Sequence, residues 1–433
     1  MRSLLPLMVW GVLLNSVTIE ARPNLSEVEQ VRQGLERILR DNIMPFWSPK
    51  ALVREEGGYR LHHDANGVRL GATDKGLIDQ ARTLWFYAYL CNAGYGTEAH
   101  LRAAEHGFYF LRDALKDDVF GGYFWAVNAS GSVATRPHKH LYGQSFALYA
   151  LSEYARVSGD GEAVGLAEEL FYLLEEKAHD ATYGGYIEWF RRDWERGLQT
   201  GNYMGTEPDG KLMNTHLHLL EAFTTYWEVT GDELARERLL ELMFIQSNAV
   251  VRKEVGACTD RYARDWTPLL DSPSGRVSYG HDVENAWLLA AASRSVGMPN
   301  SPLVDLYRTL VNNALRYGFD HDKGGFYEGG ALRMPADDLD KIWWVQAEGL
   351  VALLSLYQLT GDGNYWSAFL KTYEWVERHQ IDWKNGDWHA HIAPDGRVSG
   401  AKAGRWKTPY HSGRAVIECL RLLESIAPTS SRF

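Results

Sequence analysis

Cysteine is scarce in this 433-residue chain. The three present, Cys91, Cys258 and Cys419, are far apart and odd in number. No C-x-x-C spacing occurs, which removes a disulfide framework and a thiolate zinc site. Cys91 and Cys419 stand in apolar helical runs, where a buried thiol is the default. Positive charge is also short: 45 Lys plus Arg face 56 Asp plus Glu, a net charge of −11. There is no basic run and no Lys/Arg stripe, so the electrostatic footprint of a nucleic-acid binder is missing. No Pro/Ser/Gly-rich linker breaks the repeats described below, and residues 22–433 read as a single domain. Long apolar runs are absent but for one. Residues 4–14, behind Arg2, are apolar yet too short to span a bilayer. With the more polar stretch up to Ala21 they read as a signal peptide over residues 1–21, cleaved after Thr18 or Ala21. The mature protein is then expected to be periplasmic or secreted, with no membrane segment.

What is abundant is aromatic. Aromatic residues make up 12% of the chain, with 16 Trp. Such faces pack cores and also stack on sugar rings, and composition does not separate the two uses. Their placement shows a period. Gly57-Gly58-Tyr59 returns as Gly121-Gly122-Tyr123, Gly184-Gly185-Tyr186 and Gly324-Gly325-Phe326, with degenerate copies near Gly256 and at Gly386-Asp387-Trp388. An internal repeat of this length points to an array of supersecondary units. Two helices fit between successive marks. The first of each pair ends at a glycine turn, and at Gly159-Asp160, Gly231-Asp232 and Gly361-Asp362 the Asp is placed to cap the second. The spacing predicts twelve helices, among them 26–43, 141–157, 162–177, 212–229, 233–249, 280–296 and 412–425, with short aromatic hairpins between pairs. Six pairs can close into an inner and an outer ring, an all-α (α/α)6 barrel; an open solenoid is the alternative. The first helix of each pair and the last helix are apolar nearly all round, as at 286–292 and 349–356, so they need cover on both sides. That favours closure. The longest irregular stretch is 191–211.

In such a barrel the inner helices run parallel and their N-termini share one mouth. Arg82 lies on the second helix. The fourth opens with His138-Lys139-His140-Leu141-Tyr142, and the sixth with Asn214-Thr215-His216-Leu217-His218, then Glu221. The eighth carries His281 and Glu284, three apart and so on one face. The tenth carries Trp343, Trp344 and Glu348. The twelfth is preceded by Trp406 to His411 and followed by Arg414. Structural histidines have no reason to gather at one end of a fold, so the recurrence points to chemistry. His216, off the face of His218, reads as structural. His138 and His140 read as capping or surface residues, and Trp343 as core. His216 and His218 are a poor helical metal pair at i,i+2.

Residues 139–146, 214–221, 279–284, 343–348 and 406–414 resemble the N-acylglucosamine 2-epimerase superfamily, over nearly all of the mature chain. Within it, the Trp406 and Pro409-Tyr410-His411 motif is similar to the disaccharide epimerases. The resemblance implies an (α/α)6 barrel without metal or cofactor, acting on a carbohydrate; a monomer is expected. It implies ring opening, removal of the C2 proton and its return to the opposite face through an enediolate. This interconverts glucose and mannose units at the reducing end of β-1,4-linked disaccharides such as cellobiose. By motif position the two acid/base groups are His281 and His411. Glu284 would orient His281, and His218 would assist ring opening. Arg82 and Asn214 would hold the O1/O2 side, Trp344 and Trp406 would stack on sugars, and Tyr142 would line the pocket. Glu348 would either bind a hydroxyl or buttress an imidazole. Alternatives are a mannobiose 2-epimerase, or an aldose–ketose isomerase of the same superfamily that returns the proton to C1. A glycoside hydrolase would need two opposed carboxylates, and a helical-repeat binding scaffold would not gather histidines at helix starts.

Overall fold

Glycine marks divide the chain into the helix pairs that the repeat predicts. The computed structural model describes residues 23–50, 57–196, 204, 209–271 and 275–426. The leader expected over 1–21 and part of the 191–211 loop lie outside these. Helix α1 runs over Leu25–Arg37 and is prolonged through a wide π turn at Ile38–Ile43 into Met44–Lys50. Then follow α2 (Leu77–Asn92) with α3 (Glu98–Phe110), α4 (Leu141–Ser158) with α5 (Gly161–Lys177), and α6 (Met213–Thr230) with α7 (Glu233–Phe244). The series ends with α8 (Tyr279–Ser295) and α9 (Val304–Tyr317), α10 (Trp343–Thr360) and α11 (Gly363–Trp375), and α12 (Pro409–Ile426). Among the described residues, none of these helices is long and apolar enough to cross a membrane.

The even-numbered helices form the inner ring. Each packs on the next, and α12 packs on α2, so the ring closes and the solenoid alternative falls. Each odd helix covers the inner helix before it, with α1 covering α12. The sequence shows why. Residues 345–357 of α10 are buried without a break, whereas α9 buries only Tyr307, Leu310, Val311, Asn313 and Ala314, a single stripe. Burying a whole Leu, Val or Phe stabilises by about 1.5–3 kcal/mol, so a helix apolar all round gains most when enclosed.

Helix boundaries follow capping chemistry. Gly159, Gly231 and Gly361 take left-handed backbone conformations at the ends of α4, α6 and α10. The next residue, Asp160, Asp232 or Asp362, accepts from a first-turn N–H of the following helix. Two boundaries differ from expectation: the first helix continues past residue 43 to Lys50, and α12 starts at Pro409, not at residue 412. Proline suits the first turn, where its missing N–H costs nothing. His411 therefore sits on the helix rather than before it.

Candidate active site

A latch at the start of the inner helices recurs with variations. A strand residue just ahead of the helix supplies a buried lysine. Lys139 Nζ lies 2.9 Å from Asp117, Lys211 3.0 Å from Asp180, and Lys341 2.8 Å from Asp320, each Asp belonging to the glycine turn of its repeat. The fourth residue of the helix then binds the aromatic after the paired glycines. Gln80 Oε1 accepts from Tyr59 N at 2.7 Å, Gln144 from Tyr123 N at 2.9 Å, and Gln346 from Phe326 N at 2.8 Å. On α6 the fourth residue is His216, whose Nε2 accepts from Tyr186 N at 2.9 Å while Nδ1 donates to the Leu212 carbonyl at 2.8 Å. Burial pushes its pKa down to about 3, so it stays neutral and serves as a latch. Asp282 on α8 accepts from Cys258 N at 2.7 Å. Ser412 on α12 donates to Asp387 at 3.3 Å.

The latches put the six helices in one register, and the site is built on fixed positions of it. The sixth residues are Arg82, Phe146, His218, Glu284, Glu348 and Arg414. His281 and His411 are third residues; Tyr142, Asn214, Trp344 and Tyr410 are second residues. All the expected site residues but Trp406 fall on these three positions, and Trp406 lies just ahead of α12.

The barrel centre is an acid hub closed by one guanidinium. Arg414 Nη2 donates to Glu284 Oε1 and Glu348 Oε1, both at 2.7 Å, and Nη1 donates to Glu221 and to the Tyr410 hydroxyl. Trp287 Nε1 donates to Glu348 Oε2 at 2.9 Å, and the Tyr410 hydroxyl to Glu221 Oε2 at 2.5 Å. All of these groups are buried. Burial and the neighbouring Glu348 charge hold Glu284 up at about 8, and burial raises Glu348 as well. Burial opposes ionisation of Glu221 too, but Arg414 and His218 outweigh it and draw its pKa to about 2. Burial thus works against full ionisation on the Glu284–Glu348 side.

Two imidazoles are fixed by this hub. His411 Nδ1 lies 2.6 Å from Glu348 Oε1, and His218 Nδ1 lies 3.1 Å from Glu221 Oε2. A carboxylate at Nδ1 holds the proton there and leaves Nε2 as a free base. Burial lowers both pKa values, to about 4 for His218 and well below the ordinary value for His411, helped there by the Arg82 and Arg414 charges. His281 is partly exposed, and its ring lies 4.9 Å from Trp344, which in turn lies 5.7 Å from His411. Gly280 makes room for that indole: a Cβ there would fall 2.4 Å from the Trp344 ring.

Arg82 Nη2 donates to the Tyr142 hydroxyl at 2.8 Å and Nη1 to the Trp406 carbonyl at 3.3 Å, with Phe146 and Tyr410 under the guanidinium. The Trp406 indole is 42% exposed and lies 6.1 Å from Tyr142. Asn214 is partly exposed; its N–H donates to Asp260 at 3.1 Å, and its Oδ1 meets no hydrogen-bond partner among the described residues.

One expectation needs correction. Glu284 does not orient His281: its carboxylate is given to Arg414, because a sixth-position side chain turns to the barrel axis while third-position His281 faces α10. Of the two roles left open for Glu348, it takes that of buttressing an imidazole, His411, from a neighbouring helix. Arg414, Tyr410 and Trp287 were missing from the expected site set. Arg414 was findable, since it repeats the register of Arg82, His218 and Glu348. His140 caps α4, its Nδ1 accepting from Tyr142 N at 3.1 Å. Ligand atoms of Glu284, Glu348 and His411 lie within 4.8 Å of one another. Arg414 already stands against both of those carboxylates, so a divalent cation there would meet a guanidinium; the donor set does not fit a metal.

The sequence profile of the N-acylglucosamine 2-epimerase (GlcNAc 2-epimerase) family matches residues 57–415. The chain belongs to this family. It is 32% identical over 400 residues to a cellobiose 2-epimerase of Bacteroides fragilis, covering 90% of this chain and 99% of that one. It is 26% identical over 397 residues to a D-mannose isomerase of Marinomonas mediterranea, covering 88% and 95%. The solved cellobiose 2-epimerase of Spirochaeta thermophila superposes with a TM-score of 0.83 at 31% identity, over 93% of this chain and 98% of that one. The protein is therefore an enzyme of the sugar epimerase and isomerase class on an (α/α)6 barrel.

Proposed function

We propose that this enzyme interconverts reducing-end glucose and mannose units of β-1,4-linked disaccharides, cellobiose foremost. The observation that carries the reading is the pair His411 and His281, two imidazoles on either neighbour of one indole, Trp344. His411 is tied through Nδ1 to Glu348, so Nε2 is free. Epimerisation needs a base on one face of C2 and an acid on the other, and imidazole serves both near neutral pH. In the proposed sequence His218 Nε2 takes the O1 proton as the C1–O5 bond breaks and passes it to O5, giving the open aldehyde and leaving His218 neutral. One imidazole removes the C2 proton, and the electron pair moves through C1 to O1. Arg82 and the Asn214 amide donate to the resulting enediolate, the task that preorganised donors perform best. The second, protonated imidazole returns a proton to the opposite face of C2. Trp344 and the exposed Trp406 offer stacking faces, and Tyr142 lines the pocket.

Hydrolysis is disfavoured by the hub. Glu221, Glu284 and Glu348 all converge on Arg414, whereas a glycosidase needs two carboxyls facing each other across the scissile bond. The test is incubation with cellobiose in D2O followed by proton NMR. A mannose-type reducing end carrying deuterium at C2 is the expected product. The relative named D-mannose isomerase favours a second reading, and a ketose would establish it. Free glucose would overturn both.

A further inference from the structure

Three of the latch lysines stand on strands that pair in one register with a later hairpin. Lys139 faces Phe190, Lys211 faces Tyr262 and Lys341 faces Ile392. The turns that follow also match. Trp194, Trp266 and Gly396 each donate their N–H to the carbonyl three residues back, and each has a positive φ, of 63°, 66° and 83°. Two residues beyond the paired strand position stand Arg192, Arg264 and Pro394. Two of these turns thus carry an arginine and a tryptophan where the third carries a proline and a glycine.

The two arginines do the same work. Arg192 Nε and Nη2 donate to the two oxygens of Asp117, both at 2.9 Å, and Arg264 forks onto Asp180 at 2.9 and 3.0 Å. Each turn aspartate therefore holds two cations, a buried lysine and a guanidinium. An aromatic ring lies behind each guanidinium, Phe124 at 5.1 Å from Arg192 and Tyr183 at 5.8 Å from Arg264. Asp320 keeps its lysine, Lys341, but its second charged partner is missing, because proline at 394 has no donor. The neutral Tyr327 hydroxyl bonds to it instead. Backbone demands on the carboxylates are alike: Asp320 Oδ1 accepts from Asp322 N at 3.1 Å, as Asp117 Oδ1 does from Val119 N at 3.2 Å. A cavity of about 430 Å³ occupies this place, lined by Asp320, Tyr327, Trp375 and Pro394 among others. Tyr327 follows Asp320 by the same interval as Phe124 follows Asp117. Lys323 and Asp395 on the lining are exposed and opposite in sign. None of the residues assigned to the active site lines this cavity.

We propose that the cavity binds a guanidinium cation, with Asp320 receiving from the ligand the forked donation that Asp117 and Asp180 receive from the chain itself, and with Tyr327 and Trp375 as aromatic walls. A guanidinium fits because its planar fork matches a carboxylate and its face stacks on rings, whereas an ammonium offers no fork. The test is a ligand-observed NMR titration with N-acetyl-arginine amide and N-acetyl-lysine amide. The arginine probe should bind roughly tenfold more tightly, the worth of one further hydrogen bond to a charged group. Pro394→Arg supplies the fork from within the chain; it should abolish binding and raise the thermal midpoint. Arg192→Ala should open an equivalent cavity on Asp117 and change the stoichiometry from one probe to two. No binding to the wild type, equal binding of the two probes, or binding that survives Pro394→Arg would overturn the site, and so would an unchanged stoichiometry in Arg192→Ala. The tripeptide acetyl-Arg-Asp-Trp-amide, with the sequence of residues 192–194, separates the sources of the cation. Binding tighter than that of the single amino acid assigns the site to an arginine on another chain, and equal binding assigns it to a free guanidino compound.

Discussion

His216 and His218 stand two residues apart on α6 and do opposite jobs. His216, fourth in the helix, spends both ring nitrogens on backbone groups and replaces the glutamine of three sister helices. His218, sixth in the helix, ties one nitrogen to Glu221 and keeps the other free at the barrel axis. The two layers of the barrel differ in the same way. The latch layer repeats one position, the fourth residue of each helix, with a glutamine on three helices and a lysine–aspartate pair ahead of three. The ring layer repeats a position and varies the residue, giving two arginines, two glutamates, a histidine and a phenylalanine at equivalent places. A scaffold that is symmetric in geometry can thus carry an asymmetric site, which a reaction with distinct acid, base and oxyanion partners requires.

The largest effect expected from breaking this division is at Arg414. Arg414→Met leaves Glu221, Glu284 and Glu348 buried around an apolar group. Breaking a buried ion pair by removing one partner costs about 3–5 kcal/mol. Urea unfolding should show a loss of that order together with loss of turnover; an unchanged midpoint would mean that the hub is not structural. Next comes His411→Ala, which removes a proposed acid/base group and leaves the latch residues in place. Turnover should fall by about 10²–10⁴-fold while circular dichroism and the thermal midpoint stay near wild type. Near-normal turnover would remove the proposed mechanism.

The smaller contrast lies within α6. His216→Gln restores the latch of the other repeats and should leave both stability and turnover nearly unchanged. His216→Ala strands the buried Tyr186 N–H and should cost about 1–3 kcal/mol with little change in kcat. His218→Gln should do the reverse, lowering kcat by a factor of ten or more with little loss of stability. If His216→Gln lowered kcat as far as His218→Gln, the two layers would not be separate.

Much of this organisation was legible in the sequence because it repeats. The glycine marks and Gly-Asp caps located the helix pairs, and the apolar girth of the even helices gave the inner ring. The nine site residues carried by inner helices are legible for the same reason, since each falls on the second, third or sixth position of its helix. What the sequence hid is pairing between repeats. Glu284 is three residues from His281 yet serves Arg414, 130 positions away; His411 is three from Arg414 yet is held by Glu348, 63 away. Spacing along one helix reports which side chains share a face. It does not report which neighbour, across a closed ring, reaches them first.

Acid sharpens the comparison further. His216 is neutral in the fold with its pKa held at about 3, against an ordinary 6.5, and burial is the cause. A pKa depressed by folding leaves stability intact above the unfolded value. As pH falls below 6.5 the unfolded chain takes up a proton that the folded one refuses, and stability is lost until the folded pKa is passed. Other buried groups, Glu284 among them, have raised pKa values and act with the opposite sign, so the whole-protein curve mixes both. The difference between His216→Gln and wild type isolates one group. Their unfolding free energies should agree above pH 7. Between pH 6 and 4 the variant should gain on wild type by up to about 1.4 kcal/mol per pH unit. Curves that stay parallel through that window would mean that His216 accepts a proton in the fold, and then it could not serve as an acceptor for Tyr186 N–H.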